Sequence, residues 1–495
     1  MKKKYGIHWF RRDLRIAGND NLKQNWKQCD RNVLGIFFFD AKFLSRSDFS
    51  HNRFAFFIKT LKELKKELQA QGGDLLIVGE QAEKAFPQIF EYLNKNNLEL
   101  PELITYGADY EPFARQRDSE VKKMLESYGV KTHSGRDHLI IEPTEILKDD
   151  KSFYQIYTPY YRRWFEKLTT PEVRSRLKSV ENTEAYYQRL KAGDIEKIFN
   201  LKWSDFKNFP YPDQLDFYEN ENAKSVTIKI PDAGFKVAYE RLIEFQDKAD
   251  VYADQRNFPS LDATSQMSIY QKNGSFVSAQ IITSLKLSDS SSQYLKEIAW
   301  REFYYAIMFH KPESEKSAFL AQYKNLKWEN NKEWFQRWCA GQTGFPIVDA
   351  GMRQLNTTGW MHNRVRMIVA SFLTKDLLID WRWGENYFMK MLLDGDLAPN
   401  NGGWQWAAST GCDAQPYFRI FNPWLQAAKF DGDCDYIKKY VPELKNISAK
   451  AIHTPDGDRG PLYPKPMIDH TVQKHKALNL FQNISVKSAG SGPVK

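Results

Sequence analysis

The alternation of short apolar runs with helical periodicity, and its end near residue 140, constrains this chain more than any other feature. Four runs, YGIHWF, NVLGIFFFD, DLLIVGE and ELITYGA, are short, rich in β-branched and aromatic residues, and bounded by polar ones, as strands are. Between two of them Phe54, Phe57, Ile58, Leu61, Leu64 and Leu68 recur at three- and four-residue steps, the stripe of an amphipathic helix. Strand and helix in alternation specify a parallel sheet with helices on both faces. No GxGxxG follows the first strand, so a standard dinucleotide site is not signalled there. From about Pro231 strand signals vanish and helical patterns continue to about residue 445. The intervening stretch is punctuated by Pro, Asn, Asp and Lys and reads as a connector. The expected architecture is an α/β domain over 1–140, an interdomain linker over 141–230, a large all-α domain over 231–480, and a disordered tail over 481–495.

Composition narrows the function classes. A net charge of +9 on 495 residues is compatible with a polyanionic partner without demanding one. Cys29, Cys339, Cys412 and Cys434 lack CxxC spacing, which excludes a disulfide scaffold and fits a reducing compartment. Arg11, Arg12 and Asp13 interrupt any apolar core of a signal peptide, and no apolar run approaches a membrane span. A soluble, cytoplasmic, monomeric protein with no membrane partner is expected. The nine His residues show no ligand spacing, so no metal site is expected.

Fourteen Trp and 25 Tyr exceed what a core of this size needs, and most of the Trp fall between 300 and 424. Within that region DGDLAPNNGGWQW (394–406) holds two carboxylates, two adjacent amides and two tryptophans, with no Lys or Arg. Two helices carry unusual faces. On SSQYLKEIAWREFYYAIMFH, Glu297, Trp300, Arg301, Tyr304 and Met308 share one side. This fits either a ligand wall or an exposed Glu297–Arg301 pair beside packed aromatics. On GWMHNRVRMIVASFLTKDLLIDW, Met361, Val365, Ile368, Val369 and Phe372 form a core stripe. The far side, Asn363, Met367, Ala370 and Thr374 with Arg366 at its border, faces either a second protein layer or a ligand.

WFRRDLRI, TSQMS (264–268), WREFYY (300–305), TGWMHNRVRM (358–367), DWRWGENYF (380–388), DGDLAPNNGGWQWAAS (394–409) and YFRIFNP (417–423) resemble the DNA photolyase/cryptochrome family. The similarity is greatest to class I cyclobutane pyrimidine dimer photolyases. It is near-continuous from about Tyr252 to Leu444, thinner up to about residue 165, and faint from 170 to 245. The resemblance implies an N-terminal Rossmann-like α/β antenna domain, a long linker and a helical FAD-binding domain. It implies light-driven DNA repair: a photoexcited, reduced anionic FAD passes an electron to a flipped-out dimer, and the cyclobutane ring splits.

The resemblance also assigns residues. Asp394 pairs with Arg366 near the flavin N5 edge, Asp396 hydrogen-bonds the isoalloxazine, Asn400 sits at N5, and Gly395, Gly402 and Gly403 belong to the same stretch. Tyr252, Thr264, Ser265, Gln266, Met267 and Ser268, with Arg301 nearby, match the region around the FAD phosphates. Here MSIYQKNG and Tyr294 depart from the usual family wording. Trp404, Trp381 and Trp328 match a chain that carries electrons to the flavin. Glu297, which also takes a catalytic role, Trp300, Asn363, Met367 and Trp406 match the dimer pocket, and Arg256, Arg364, Arg419 and Gln426 match contacts to damaged DNA. His362 is expected to pack or to orient Asn363.

Where folate-binding members carry Asn-Glu, this chain has Phe113-Ala114. An antenna chromophore such as a deazaflavin or flavin mononucleotide, or an empty antenna site, all fit, and folate is disfavoured. Asn400 argues against the alternative of a cryptochrome-type blue-light receptor that binds FAD without repair. A (6-4) photolyase and a non-catalytic DNA-binding flavoprotein are the other readings.

Overall fold

The computed structural model describes residues 4–180, 182–289 and 292–489. Five parallel strands, β1 (Gly6–Trp9), β2 (Val33–Phe38), β3 (Leu75–Val78), β4 (Leu103–Gly107) and β5 (Lys131–Gly135), form one sheet in the order β3-β2-β1-β4-β5. The central strand β1 pairs Ile7 with Leu34 on one side and Ile104 on the other. Strands β1 to β4 coincide with the four apolar runs because both sheet faces are covered. On one face the helix α1 (His51–Ala70), capped by the Ser50 hydroxyl, buries Phe54, Ile58, Leu61, Leu64 and Leu68 against Phe37, Phe39, Leu75 and Ile77. On the other, helices Ala82–Lys95 and Pro112–Ser127 bury Phe86, Ile89, Phe90, Val121 and Leu125 against Trp9, Phe38 and Leu76. The edge strand β5, KTHSG, pairs only with β4 and is half-exposed, so its composition carries no apolar run.

Segment 141–230 is more than a linker. Its described residues include four α-helices, of which α2 (Tyr157–Leu168) presents Tyr157, Tyr160, Trp164 and Leu168 to the helical core. Trp164 is 0% exposed, and its Nε1 donates to Glu302 at 2.6 Å. That carboxylate also accepts from the backbone of Ile140 and Ile141. The stretch read as connector therefore closes one side of the helical half.

The second half is built around α3 (Gln293–His310), α4 (Asn363–Ser371), α5 (Trp381–Met391) and α6 (Leu397–Ala408). The helix α6 packs between α3, α4 and α5. One π-helical turn, Phe372–Asp376, follows α4, a feature frequent near functional sites. All strands of the described residues lie before residue 136. The final helix α7 (His470–Ala489) continues through the start of the expected tail, because Phe481 is fully buried beneath Lys375 Nζ, 3.6 Å from its ring centroid. The rest of that tail, 490–495, lies outside the described residues.

Candidate flavin and lesion site

The turn preceding α6 has no cation of its own because its cations arrive from elsewhere. Asp394 Oδ2 accepts from Arg366 Nη2 of α4 at 2.8 Å and from the Ser268 hydroxyl at 2.6 Å. Its Oδ1 is buried without a partner. Asp396 is bound by Arg12 Nη2 at 2.7 Å, Lys272 Nζ at 3.0 Å and the Tyr305 hydroxyl at 2.7 Å, with Arg301 Nη2 3.6 Å away. Burial alone would push this carboxyl up, but Arg12, Lys272 and Arg301 outweigh it and hold Asp396 well below the usual carboxylate range. Arg53, reaching over from α1, donates to the carbonyls of Met389 and Leu392 and lies against Gly395.

Along α6, the Asn400 amide donates to the Glu385 carbonyl at 3.1 Å and Asn401 donates to the Glu385 carboxyl at 3.0 Å. Burial pushes that carboxyl up to about 8 although Asn401 pulls it back, so it is mostly neutral at pH 7. Gly402 lies against the Tyr304 ring, whereas a Cβ at Gly403 would meet nothing within 4 Å. Trp404 is 2% exposed and Trp406 half-buried.

The TSQMS turn is tied to this centre. Ser265 Oγ accepts from the Tyr294 hydroxyl at 2.7 Å and from Met267 N–H at 3.3 Å, and Arg241 holds the Ser265 carbonyl. Gln266 sits at φ +54°, a conformation side chains rarely adopt and that surrounding contacts must enforce. Thr264 is half-buried, and Tyr252 is buried edge-on to Tyr294 at 5.2 Å. Arg301 donates to the His138 carbonyl at 2.9 Å, while its Nη2 is buried without a hydrogen bond. The unmatched Asp394 Oδ1 and Arg301 Nη2, with the open side of α6 at Gly403, suit a polar, planar cofactor such as FAD.

The candidate lesion residues lie on α3, α4 and α6. Trp300 stacks on Tyr157 of α2 with centroids 3.7 Å apart and planes 7° apart. Tyr157 is in turn fixed by its hydroxyl to the Lys296 carbonyl and by its N–H to Asp413. Glu297 does not pair with Arg301, one of the two options its spacing allows; it binds Arg256 and the Gln293 amide. Met308, on the same helix, packs in a buried cluster with Tyr110, Tyr305 and Ala398. The far side of α4 divides: Ala370 and Thr374 are buried in protein, whereas Asn363 is exposed, 4.0 Å from the half-buried Met367 sulfur. His362 is 2% exposed, and burial together with Arg366 and Arg364 pushes it down to about 4. Its neutral Nδ1 accepts the Arg364 N–H and caps α4 beside Asn363. Arg364 lies over Phe430 and donates to Asn257 at 2.7 Å; Arg419 is exposed; Gln426 keeps a buried, unpartnered Oε1.

Trp404 and Trp381 are buried in one cluster that Trp328 borders. Two bonds tie the Trp328 loop to the entry of α5 at Trp381: Glu329 N–H to the Leu378 carbonyl at 2.8 Å, and Asp380 N–H to Asn330 at 2.8 Å. Sequence reasoning missed Arg12, Arg53, Lys272, Tyr305, Tyr157 and Glu385. Only Tyr157 had a local signal, the aromatic stripe of α2.

Residues 6–178 match the family model described as DNA photolyase, and 294–483 match the FAD binding domain of DNA photolyase. A deoxyribodipyrimidine photo-lyase of Alkalihalophilus pseudofirmus is 36% identical over 96% of this chain and 97% of that protein. The chain belongs to the DNA photolyase family. The Escherichia coli deoxyribodipyrimidine photo-lyase is 34% identical over 96% of this chain and 98% of that protein. Among solved photolyases, a class III enzyme from Agrobacterium tumefaciens superposes with TM-score 0.81 and 30% identity over 98% of each chain. A Synechocystis cryptochrome shares the photolyase fold at TM-score 0.81 and 23% identity, covering 97% of this chain and 99% of that one. Among the described residues no helix is long and apolar enough to cross a membrane, and no group of three or more His, Cys, Asp or Glu could hold a metal ion.

Proposed function

We propose that this protein repairs cyclobutane pyrimidine dimers in DNA by light. The observation that carries the proposal is Trp300, stacked on Tyr157 and one turn from Glu297 on the same helix; Asn363 and Met367 on α4 and Trp406 on α6 are read as completing that wall. A wall of this kind suits a dimer extruded from the duplex, whose weakened stacking lowers the cost of extrusion. In this reading Trp300 and Trp406 stack on the lesion, Met367 packs against it, and Glu297 and Asn363 recognise its polar edges. Arg256, Arg364 and Arg419 meet phosphates, giving a salt-dependent affinity with little sequence preference, and Gln426 contacts the strand beside them.

FAD would be held by Asp394, Asn400, the 264–268 turn and Arg301, and supplies, when bound and reduced, the light-driven electron chemistry that splits the dimer. The protein's own share is positioning and exclusion of water. Arg366 fixes the Asp394 carboxylate, and Asn400, its NH2 held by the Glu385 carbonyl, would offer its amide oxygen to the cofactor. Trp404, Trp381 and Trp328 would relay electrons inward from the surface, and an antenna chromophore would feed light to the same centre.

The test is recovery of thymine absorbance when reduced holoprotein and dimer-bearing oligothymidylate are illuminated with blue light. Recovery in light only, lost in Asn363→Ala and Trp300→Ala, is expected. A fully reduced, flavin-loaded protein that restores nothing sinks the proposal in favour of a light receptor without repair.

A further inference from the structure

We infer that Arg12, on the α/β half, is a positioning residue for the flavin-binding turn, acting through Asp396; the inference rests on the reading of residues 394–403 as the flavin site. Asp396 is the N-cap residue of α6, yet its side chain caps nothing. Its Oδ1 instead takes Arg12, Lys272 and the Tyr305 hydroxyl, which Oδ2 shares, with Arg301 Nη2 3.6 Å from Oδ2. Asp396 thereby anchors the start of α6 through Oδ1, whatever Oδ2 offers a bound ring.

The anchor is itself built into the other half. Arg12 also binds Glu111 at 3.0 Å and the Tyr305 hydroxyl, and lies 3.7 Å from Asp109. The carbonyl of Arg12 presses on Gly274, at φ +74°, where any Cβ would collide with the Arg12 and Asp13 backbone. Arg15 donates to the Gly274 carbonyl at 3.1 Å, and Leu14 N–H to Asn273. Lys272, two residues before Gly274, reaches the same Asp396 oxygen as Arg12. Three cations (Arg12, Lys272, Arg301) thereby face three carboxylates (Asp396, Asp109, Glu111), with Arg12, Asp396 and Asp109 at most 14% exposed. Ion pairs this buried add little net stability over apolar packing, but their fixed geometry specifies one arrangement. A shift at Asp396 moves the whole of α6, and with it Asn400, Trp404 and Trp406.

The test is flavin release from holoprotein, followed as the fluorescence of freed flavin after dilution, for Arg12→Gln, Arg12→Lys, Asp396→Asn, the double variant Arg12→Gln/Asp396→Asn, and Asp394→Asn as reference. Near-UV circular dichroism restricts the comparison to folded protein. Arg12→Gln and Asp396→Asn are each expected to speed release by about 10- to 100-fold, the cost of one buried charged contact. The double variant should be no faster than the faster single one, and Arg12→Lys should recover most of the loss. Release within about two-fold of wild type in Arg12→Gln, or in Asp396→Asn should Arg12→Gln not fold, while Asp394→Asn releases fast, overturns the inference. If Asp394→Asn also holds its flavin, the flavin reading of the turn fails first and takes the clamp with it.

Discussion

Gly402 and Gly403 are neighbours in α6, and alanine at the two positions should have opposite effects. Helix propensity favours Ala over Gly by about 1 kcal/mol in a helix interior. At Gly403 nothing opposes this gain in flavin-stripped protein, because the added Cβ meets no atom within 4 Å. Gly403→Ala should therefore raise its stability by about 1 kcal/mol. At Gly402 the Cβ would lie 2.6 Å from Tyr304 Cγ and closer still to two further ring carbons. The Cγ atom is one bond from the Tyr304 Cβ, so ring rotation cannot relieve the overlap. The ring is hemmed in by Phe303 at 5.8 Å and by Trp300 at 5.5 Å, itself backed by Tyr157. Overpacking of this severity costs about 3 kcal/mol, so Gly402→Ala should lose about 2 kcal/mol net. Urea unfolding of flavin-stripped proteins, followed by Trp fluorescence at unchanged m-value, measures both. Flavin titration adds a second readout: a methyl on the open side of α6 at 403 should weaken FAD binding by about 5- to 150-fold. A Gly402→Ala protein as stable as wild type refutes the Tyr304 contact. Undiminished flavin affinity in Gly403→Ala refutes the open side as the flavin face.

Four further outcomes follow from the same geometry. Burial pushes Glu302 from its ordinary 4.5 to about 7 even though Ile140, Trp164, Arg301 and Ile141 pull it back. The folded protein thus keeps a proton the unfolded chain has lost, and stability falls as pH rises between these values; Glu302→Gln should flatten the pH profile of the urea-unfolding free energy there by about 3 kcal/mol. Tyr157→Leu should raise KM for dimer DNA about 2- to 10-fold with kcat little changed, and Tyr157→Phe should stay near wild type; an unchanged KM in the Leu variant removes Tyr157 from the pocket. Trp381→Phe should slow light-driven flavin reduction by at least about 10-fold, one pathway step removed, yet spare repair by chemically reduced protein; equal photoreduction rates contradict the Trp relay. If Arg256, held by Glu297, meets a phosphate, Arg256→Gln should weaken binding of undamaged DNA and flatten its log–log salt slope by about 0.9, and an unchanged slope means that Arg256 meets no phosphate.

What was legible in the sequence depended on how far apart the interacting residues lie. Strands β1 to β4 and the α1 stripe could be read because burial on both sides forces apolar composition locally. The edge strand β5 could not, since it is held through its backbone. Helix α2 was hidden by the Pro, Asn, Asp and Lys around it, although its own aromatic spacing was regular. The Glu297–Trp300 face was visible as helical spacing, but Arg256, 41 residues earlier, was not readable as the partner of Glu297. The absence of Lys and Arg from DGDLAPNNGGWQW was a true signal: it marked a receiver of charge, with the donors Arg12, Lys272, Arg301 and Arg366 scattered over the chain.

The Arg12–Asp396 contact also has a consequence for biosynthesis. Its two residues are 384 positions apart. At about 5–20 residues per second, Asp396 is made about 20 to 80 s after Arg12. During that interval the N-terminal sheet can form around β1, but the guanidinium that will steady α6 has no Asp396 to bind. On the flavin reading of residues 394–403, the turn reaches its final shape only once Asp396 has been made, so chain order places flavin capture after the N-terminal sheet.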